Sequence, residues 1–379
     1  MAETKRVLPR RAMPLVSTVT LIGFLDTTLL VPIVAVYAKD LGAGVAITGL
    51  IVGLYSIVNT PANVLFGRLI DRIGFKLPLS VGLAGDAVAM LLYSLCRLPL
   101  HLALVRAFHG FTGAAVGPAT MSAISVYSSG EREGRSMSVY GMSIAAANLL
   151  GFGLSGMLYS RLGNNWLFAF GAVVLAAGFT VSFWLPGGGR PKAVTPEAVG
   201  PEVMSPEATQ SKSESANPLP SWGLTTIKRL LRRRGLVVAY GAILAQYFSF
   251  GGLVTLLPRE VERHGMDALH MGMLLVVFSV VFIAVQFPAG AYSDRRGRRL
   301  PIVAGLAIGA AALLALPLVS AGAFSAGVEW PVAFGAMAAV MAVYGVGYGL
   351  LFPSVSALVV DESLPEERGV ATAGCSTRC

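Results

Sequence analysis

The sequence predicts an all-α protein that crosses a membrane many times. Three observations carry that expectation. The composition is 55% hydrophobic and only 13% charged over 379 residues, with a mean hydropathy of +0.69, which is too apolar for a soluble globule. Ten apolar runs follow one another, each long enough at about 1.5 Å per residue to cross a hydrocarbon core of roughly 30 Å. A short charged hinge occurs twice between such runs, as Gly67, Asp71, Arg72, Gly74 and Lys76 and again as Gly290, Asp294, Arg295, Gly297, Arg298 and Arg299.

In chain order, residues 1–11 are basic and precede an apolar run at about 13–36. That run is too long for the core of a cleaved leader, and more spans follow, so it is expected to stay as the first helix. Further spans are expected at about 47–68, 77–96, 99–124, 136–159 and 165–185, six in all, which makes residues 1–185 a first bundle. From Pro186 to Pro220 the chain is rich in Pro, Ser, Glu and Gly without apolar periodicity and reads as a flexible linker. Trp222 to Arg234 then sets Trp222, Leu224, Ile227, Leu230 and Leu231 among five basic residues, which suits a short helix on anionic lipid headgroups. This closes a connecting segment of residues 186–234. Spans resume at about 236–258, 270–290, 300–321 and 331–358, in a second bundle of residues 235–379. The second hinge therefore falls between the second and third helices of its half, as the first does.

Each part of the hinge has a physical use. Its first glycine suits close helix approach, Asp and Arg can pair or cap helix ends, and its second glycine allows a tight turn. Loop charge orients the chain. The N-terminus, both hinges, the loop at Arg132 and Arg135, the linker and the loop at Arg368 hold 22 Lys and Arg, whereas the opposite loops hold only Lys39, Arg97, Arg161, Arg259 and Arg263. By the positive-inside rule the N-terminus is expected on the cytoplasmic face, most simply of the cell (inner) membrane. The net charge of +9 is explained by these loops, and no basic, aromatic-interleaved groove suggests nucleic acid.

Ionisable side chains at membrane depth mark a cavity or a partner. Asp26 lies about 18 Å into the first helix from the cytoplasmic side and Arg106 about 10 Å into the fourth from the other side, so the two can meet near the midplane. Asp86 in the third helix sits slightly nearer the cytoplasm. Such a pair is either a static tie or a carboxylate whose proton is tuned by an adjacent cation. His109 is read as a packed histidine or an aid to proton transfer. Asn59, Asn63 and Gln286 are read as helix ties. Cys96, Cys375 and Cys379 and the histidines show no metal-ligand spacing, and no nucleophile triad or phosphate-cradling loop appears, so neither an enzyme nor a metal or cofactor site is expected.

The hinge resembles the signature G-x-x-x-D-R/K-x-G-R/K-R/K of the major facilitator superfamily, which lies between the second and third helices; Phe75 departs from it. Leu102 to Ala115 resembles the fourth-helix motif L-x-x-x-R-x-x-Q-G-x-G-A-A of the drug and proton antiporter (multidrug efflux) branch, with His109 in place of Gln. Gly151, Gly153 and Gly156 stand where that branch carries G-P-x-x-G-G, with Phe152 for Pro and Ser155 for Gly. The resemblance implies a major facilitator fold of two six-helix bundles and alternating access to a central path. It links Arg106 to proton coupling, with Asp26 and Pro32 resembling the first-helix pattern of that branch, and it implies a central path bordered by the fifth and seventh helices, on which Asn148 and Gln246 lie. The function it implies is proton-coupled efflux of a small molecule, and Phe152 keeps proton-coupled uptake of a sugar or organic acid as a rival. Asp361 to Gly369 resembles the loop leading to an eleventh helix, after which ten residues remain. This gives the expectation of a chain truncated after about ten spans, which also keeps a non-transporting sensor or inactive fragment in play.

Overall fold

A computed structural model describes residues 12–127, 133–186 and 233–362. The basic N-terminus, Arg132, the linker with its amphipathic stretch, and Arg368, Cys375 and Cys379 lie outside the described residues, as does the side chain of Arg135. The described residues form helices joined by short turns, and no strand occurs among them. In order these are α1 (Ala12–Asp40), α2 (Val45–Ile73), α3 (Lys76–Tyr93), α4 (Pro99–Gly113), α5 (Val116–Tyr127), α6 (Glu133–Leu162), α7 (Asn164–Phe183), α8 (Arg234–Arg263), α9 (Ala268–Arg296), α10 (Arg299–Ser325) and α11 (Trp330–Glu362).

Nine of these helices are individually long and apolar enough to cross a membrane. The tenth span is α4 and α5 together. It was expected as one helix over 99–124, and the break falls at Ala114 and Ala115 because Pro118 has no N–H to offer the Ala114 carbonyl and its ring crowds that position. The outer surface is apolar, with Phe248 82% and Leu318 72% exposed, as a lipid-facing surface requires. The protein is thus an integral, multi-pass membrane protein.

Helices α1 to α7 pack round a core that includes Leu30, Leu83, Val116 and Phe168. Helices α8 to α11 pack round Leu274, Phe278, Met341 and Tyr344, and Val31, Val36 and Phe152 from the first set join that second core. Helix α1 is the most enclosed, 72% of its apolar window being buried against 22% for α10. It therefore touches nearly everything a change in the first half would have to move.

Among the described residues, the side-chain and glycine contacts that join the two sets lie toward the helix ends remote from the hinges. Lys39 at the end of α1 pairs with Glu262 at the end of α8. Gly156 of α6 lies against the backbone of Ala268 and Leu269, and a Cβ at Gly272 would stand 2.6 Å from the Phe152 carbonyl. Close approach of α6 and α9 thus depends on glycine at these positions.

Gly151, five residues before Gly156 and so on a different side of α6, instead faces α1, where a side chain would strike Thr28. Thr28 is fixed there by donating to the Ala147 carbonyl at 3.0 Å, and Ser155 donates to Leu29. Gly151→Val is expected to destabilise the fold by about 1–3 kcal/mol through overpacking, whereas Gly153→Ala is not. The nearest atom to a Cβ at Gly153 is 3.6 Å away on Val276, which is ordinary contact. Thermal unfolding of the two purified variants, with their abundance in membranes, checks this contrast.

Candidate functional site

The polar centre of the first half is built from four helices. Helix α4 presents Leu102, Arg106, His109 and Gly113 on one buried face, the spacing expected of a single helical stripe. Helix α1 supplies Asp26 and Thr27, α2 supplies Tyr55 and Asn59, and α3 supplies Asp86 and Tyr93. Asp26 is 1% exposed, and Asp86 and His109 are fully buried.

His109 is the hub. Its Nε2 lies 2.9 Å from Asp26 Oδ2 and 3.8 Å from Asp86 Oδ1, while its Nδ1 lies 3.1 Å from the Tyr93 hydroxyl. Asp26 Oδ1 also accepts from the Thr27 backbone N–H at 2.6 Å and from its hydroxyl at 3.2 Å. Thr112 donates to Asp86 Oδ1 at 2.6 Å. Glycine at position 113 makes room for this, since a Cβ there would stand 2.8 Å from the Tyr55 hydroxyl and 3.4 Å from Asp86 Oδ1. Gly110 passes close to the Tyr55 backbone and accepts from Asn59 Nδ2 at 2.9 Å, which ties α2 to α4.

The expected direct pair of Asp26 with Arg106 is not formed. The Arg106 guanidinium donates to the carbonyl of Val52 at 3.1 Å and of Ile51 at 3.5 Å, and lies 4.8 Å over the Tyr55 ring. Depth counted from the sequence is good only to about one helical turn, about 5.4 Å, so it does not choose between Arg106 and a residue one turn away. His109, one turn deeper on the same face, takes the place by the carboxylate. Tyr55, Tyr93, Thr27 and Thr112 were not singled out from the sequence. The two tyrosines carried a signal, because a buried Tyr hydroxyl in an apolar run needs a partner.

One ligand atom each from Asp26, Asp86 and His109 lies within 4.8 Å of the others, a grouping invisible to sequence spacing because each comes from a different helix. Two ionised carboxylates that close repel by about 3 kcal/mol even at an effective dielectric near 20. A proton shared in the cluster relieves this. The heavy-atom positions serve two proton arrangements: a neutral imidazole accepting from Tyr93 and donating to Asp26, or an imidazolium donating at both nitrogens.

The other expected path residues lie apart from this cluster. Asn148 is half-buried on α6. Gln246 on α8 is 4% exposed, and its Nε2 has no hydrogen-bond acceptor among the described residues.

The two hinges share their turn and differ in their charges. Gly74 and Gly297 end α2 and α9 with φ of +85° and +90°, conformations that only glycine adopts without strain. Gly67 and Gly290 do not make the expected close approaches, since a Cβ at Gly67 would meet open space and one at Gly290 only Pro353 at 3.8 Å. Arg298 pairs with Asp294, donates to Asp361 at the end of α11 at 2.9 Å and reaches Ser293 at 3.2 Å. These hydrogen bonds to Asp294 and Asp361 raise the guanidinium's pKa further. Arg72, Arg295 and Arg299 are exposed.

In the first hinge Phe75 replaces that arginine, is fully buried and meets the Tyr127 ring edge-on at 5.8 Å. Asp71 is exposed and, among the described residues, has no charged partner, so it does not hold its loop as expected. Lys76 does so instead, donating to the carbonyls of Phe183 at 2.9 Å and Leu185 at 2.8 Å at the end of α7. Asp294→Asn is therefore expected to speed amide exchange over residues 297–300 by about twofold to fivefold, the worth of an exposed pair, while Asp71→Asn leaves residues 74–77 unchanged. Hydrogen exchange read by mass spectrometry measures both.

The chain is similar to several known transport proteins. The inner membrane transport protein YajR of Escherichia coli (strain K12) is 27% identical over 177 residues, 46% of this chain and 38% of that protein. The triacylglyceride transporter of Mycolicibacterium smegmatis is 26% identical over 414 aligned positions, 94% of this chain and 70% of that one. The quinolone resistance protein NorA of Staphylococcus aureus is 26% identical over 135 residues, 36% of this chain and 35% of that protein. The chain spans about two fifths or less of the length of the first of these relatives. Among solved structures, a bacterial homologue of the human lysosomal transporter Spinster, inward-facing and unoccupied, superposes with a TM-score of 0.71 at 15% identity, covering 98% of this chain and 81% of that one. The nucleoside transporter NupG superposes with a TM-score of 0.69 at 14% identity, covering 95% and 86%. These two likenesses show the shared fold. Residues 16–376 match the family model of the Major Facilitator Superfamily, and the chain belongs to that superfamily.

Proposed function

We propose that the chain is a transporter that moves a small amphiphilic compound by alternating access and exports it in exchange for protons. The observation that carries this reading is the buried Asp26, His109 and Asp86 cluster, three groups that can share a proton at membrane depth. Helix α1 links that cluster to the second half, because Val31 and Val36 pack into the second core and Lys39 reaches Glu262. A change of charge at Asp26 therefore acts on a helix that already holds the halves together.

In this reading residues 1–185 and 235–379 are two bundles that rock about the segment 186–234, whose basic stretch rests on anionic headgroups. The excess of Lys and Arg on the hinge side puts that side in the cytoplasm of the cell membrane. In that orientation the described contacts between the halves lie on the outward side. The efflux branch is favoured by the fourth-helix motif and by the likeness to the quinolone resistance protein. Proton-coupled uptake of a sugar or organic acid is the second reading, favoured by Phe152, which is 5% exposed in the second core where the antiporter motif has Pro.

Reconstituted vesicles with an imposed pH gradient test this, with amphiphilic dyes and with sugars and organic acids as separate panels. Export predicts dye accumulation against its gradient in vesicles with an acidic lumen and outward-facing hinge side, abolished by a protonophore. Movement of either panel that ignores the gradient would rule out coupling, and gradient-driven movement of sugars or acids alone would favour uptake.

A further inference from the structure

We infer that the second half carries a binding wall for a planar aromatic compound bearing a hydrogen-bond acceptor. It consists of an aromatic ladder on α9 and α11 together with the amide of Gln246. This rests on the transport reading above and names the substrate class of that path.

Phe278 and Phe282 stand one turn apart on α9, and Tyr344, Tyr348 and Phe352 stand at successive turns of α11. The Phe278 and Phe282 rings are parallel within 6° at 6.0 Å. Tyr348 meets both edge-on at 5.4 and 5.3 Å, and Phe352 meets Phe282 edge-on at 6.0 Å. The ladder thus runs from mid-helix toward the hinge side.

Phe278 and Tyr344 belong to the core of this half, but the rings are not what brings the two helix backbones together. The backbones meet at Gly345, where a Cβ would stand 2.7 Å from the Phe278 carbonyl, and at Gly349, 3.0 Å from the Phe282 carbonyl. The rings flank that seam. Phe278 and Tyr344 are buried, whereas Phe282, Tyr348 and Phe352 are only partly covered, so ring surface remains available. The cluster containing Phe278, Phe282 and Tyr348 also takes in Val31 and Val36 of the first half, so most of the ladder belongs to a core where the halves meet.

Gln246 supplies the independent sign of a ligand. Phe250, on the next turn of α8, packs on Phe278 at 5.6 Å and on Tyr348 at 6.0 Å, and Ser249 meets the Tyr344 hydroxyl at 2.9 Å. Gln246 shares this helical face at i−3 and i−4. Its Nε2 is buried without an acceptor among the described residues, a state that costs free energy unless something arrives to accept from it. A flat aromatic body lying on the partly covered rings, with a carbonyl or ether oxygen toward α8, satisfies both features. Aromatic faces also favour a delocalised positive charge on such a compound.

Fluorescent 7-dialkylaminocoumarin, which has a flat bicyclic body and a lactone carbonyl, is the probe, titrated into the purified full chain in detergent; naphthalene, of similar shape without an acceptor, is the competitor. Phe282→Leu and Tyr348→Leu are each expected to weaken coumarin binding about fivefold, the worth of one aromatic contact, and Phe282→Trp is expected to preserve it. Gln246→Leu, close to isosteric, is expected to weaken coumarin about tenfold and leave competition by naphthalene unchanged. Phe248→Leu, on the lipid-exposed side of the same helix, is the control and is expected to bind like the parent. Equal affinities across all folded variants, or the same loss for Phe248→Leu as for Phe282→Leu, would overturn the proposal. So would equal losses of both probes in Gln246→Leu. The parent chain itself separates this from the coupling reading: intact coumarin binding with no gradient-driven transport would sink coupling and leave the wall standing, whereas gradient-driven transport with none of these binding losses would sink the wall alone.

Discussion

Vesicles carrying Asp26→Asn are expected to show no gradient-driven transport above empty vesicles, while substrate binding and downhill exchange remain measurable. The carboxylate accepts from Thr27 at one oxygen and faces His109 Nε2 at the other, at 2.6 and 2.9 Å. An asparagine fits that space. Its carbonyl oxygen can keep one of these bonds, and its amide can turn toward whichever neighbour accepts. What is lost is the charge, and with it the repulsion between Asp26 and Asp86 that makes a shared proton necessary. A purely structural role predicts otherwise: reduced abundance in the membrane, and a normal gradient response in whatever protein folds. Measuring abundance and flux on the same vesicles separates these, and a normal response in Asp26→Asn would end the coupling reading. Arg106→Ala serves as contrast. It strips donors from the Ile51 and Val52 carbonyls and the cation from the Tyr55 ring, so it should lower abundance as well as flux.

Much of the fold was legible because a membrane imposes few choices. Apolar length fixes a span, and the ten expected spans agree with the helices to within several residues except where Pro118 splits the fourth into α4 and α5. The hinge repeat was legible too, since Gly74 and Gly297 adopt the same positive φ for the same turn. The partners of Asp26 were not. Depth places a side chain along the membrane normal, but its direction round the helix is set by packing, here by Gly113 and Gly110 letting Tyr55 and α2 close on α4. Nor did the hinge motif reveal that Phe75 would go inward and pass the anchoring to Lys76. A motif states spacing; whether its basic residue finds a carboxylate depends on a distant chain end such as Asp361, which only the folded protein brings near.

Replacing His109 is expected to have the largest effect of any single change, and its direction depends on what replaces it. His109 is fully buried between Asp26 at 2.9 Å and Asp86 at 3.8 Å. Leucine there would leave two buried carboxylates facing a hydrocarbon side chain. Removing the partner of a buried charge typically costs about 3–5 kcal/mol, a large share of the roughly 5–15 kcal/mol that holds a domain folded. His109→Leu should therefore be scarce in the membrane. Glutamine is the informative change. Its amide can donate to Asp26 and accept from Tyr93, as the imidazole does, but it cannot take up a proton. His109→Gln should therefore be present at near parental levels, and its response to a pH gradient reports the imidazole's role. If His109 carries the proton between Tyr93, Asp26 and Asp86, gradient-driven flux falls to the level of Asp26→Asn while substrate binding persists. If the imidazole only packs, flux and abundance both match the parent, and the carboxylates alone perform the coupling.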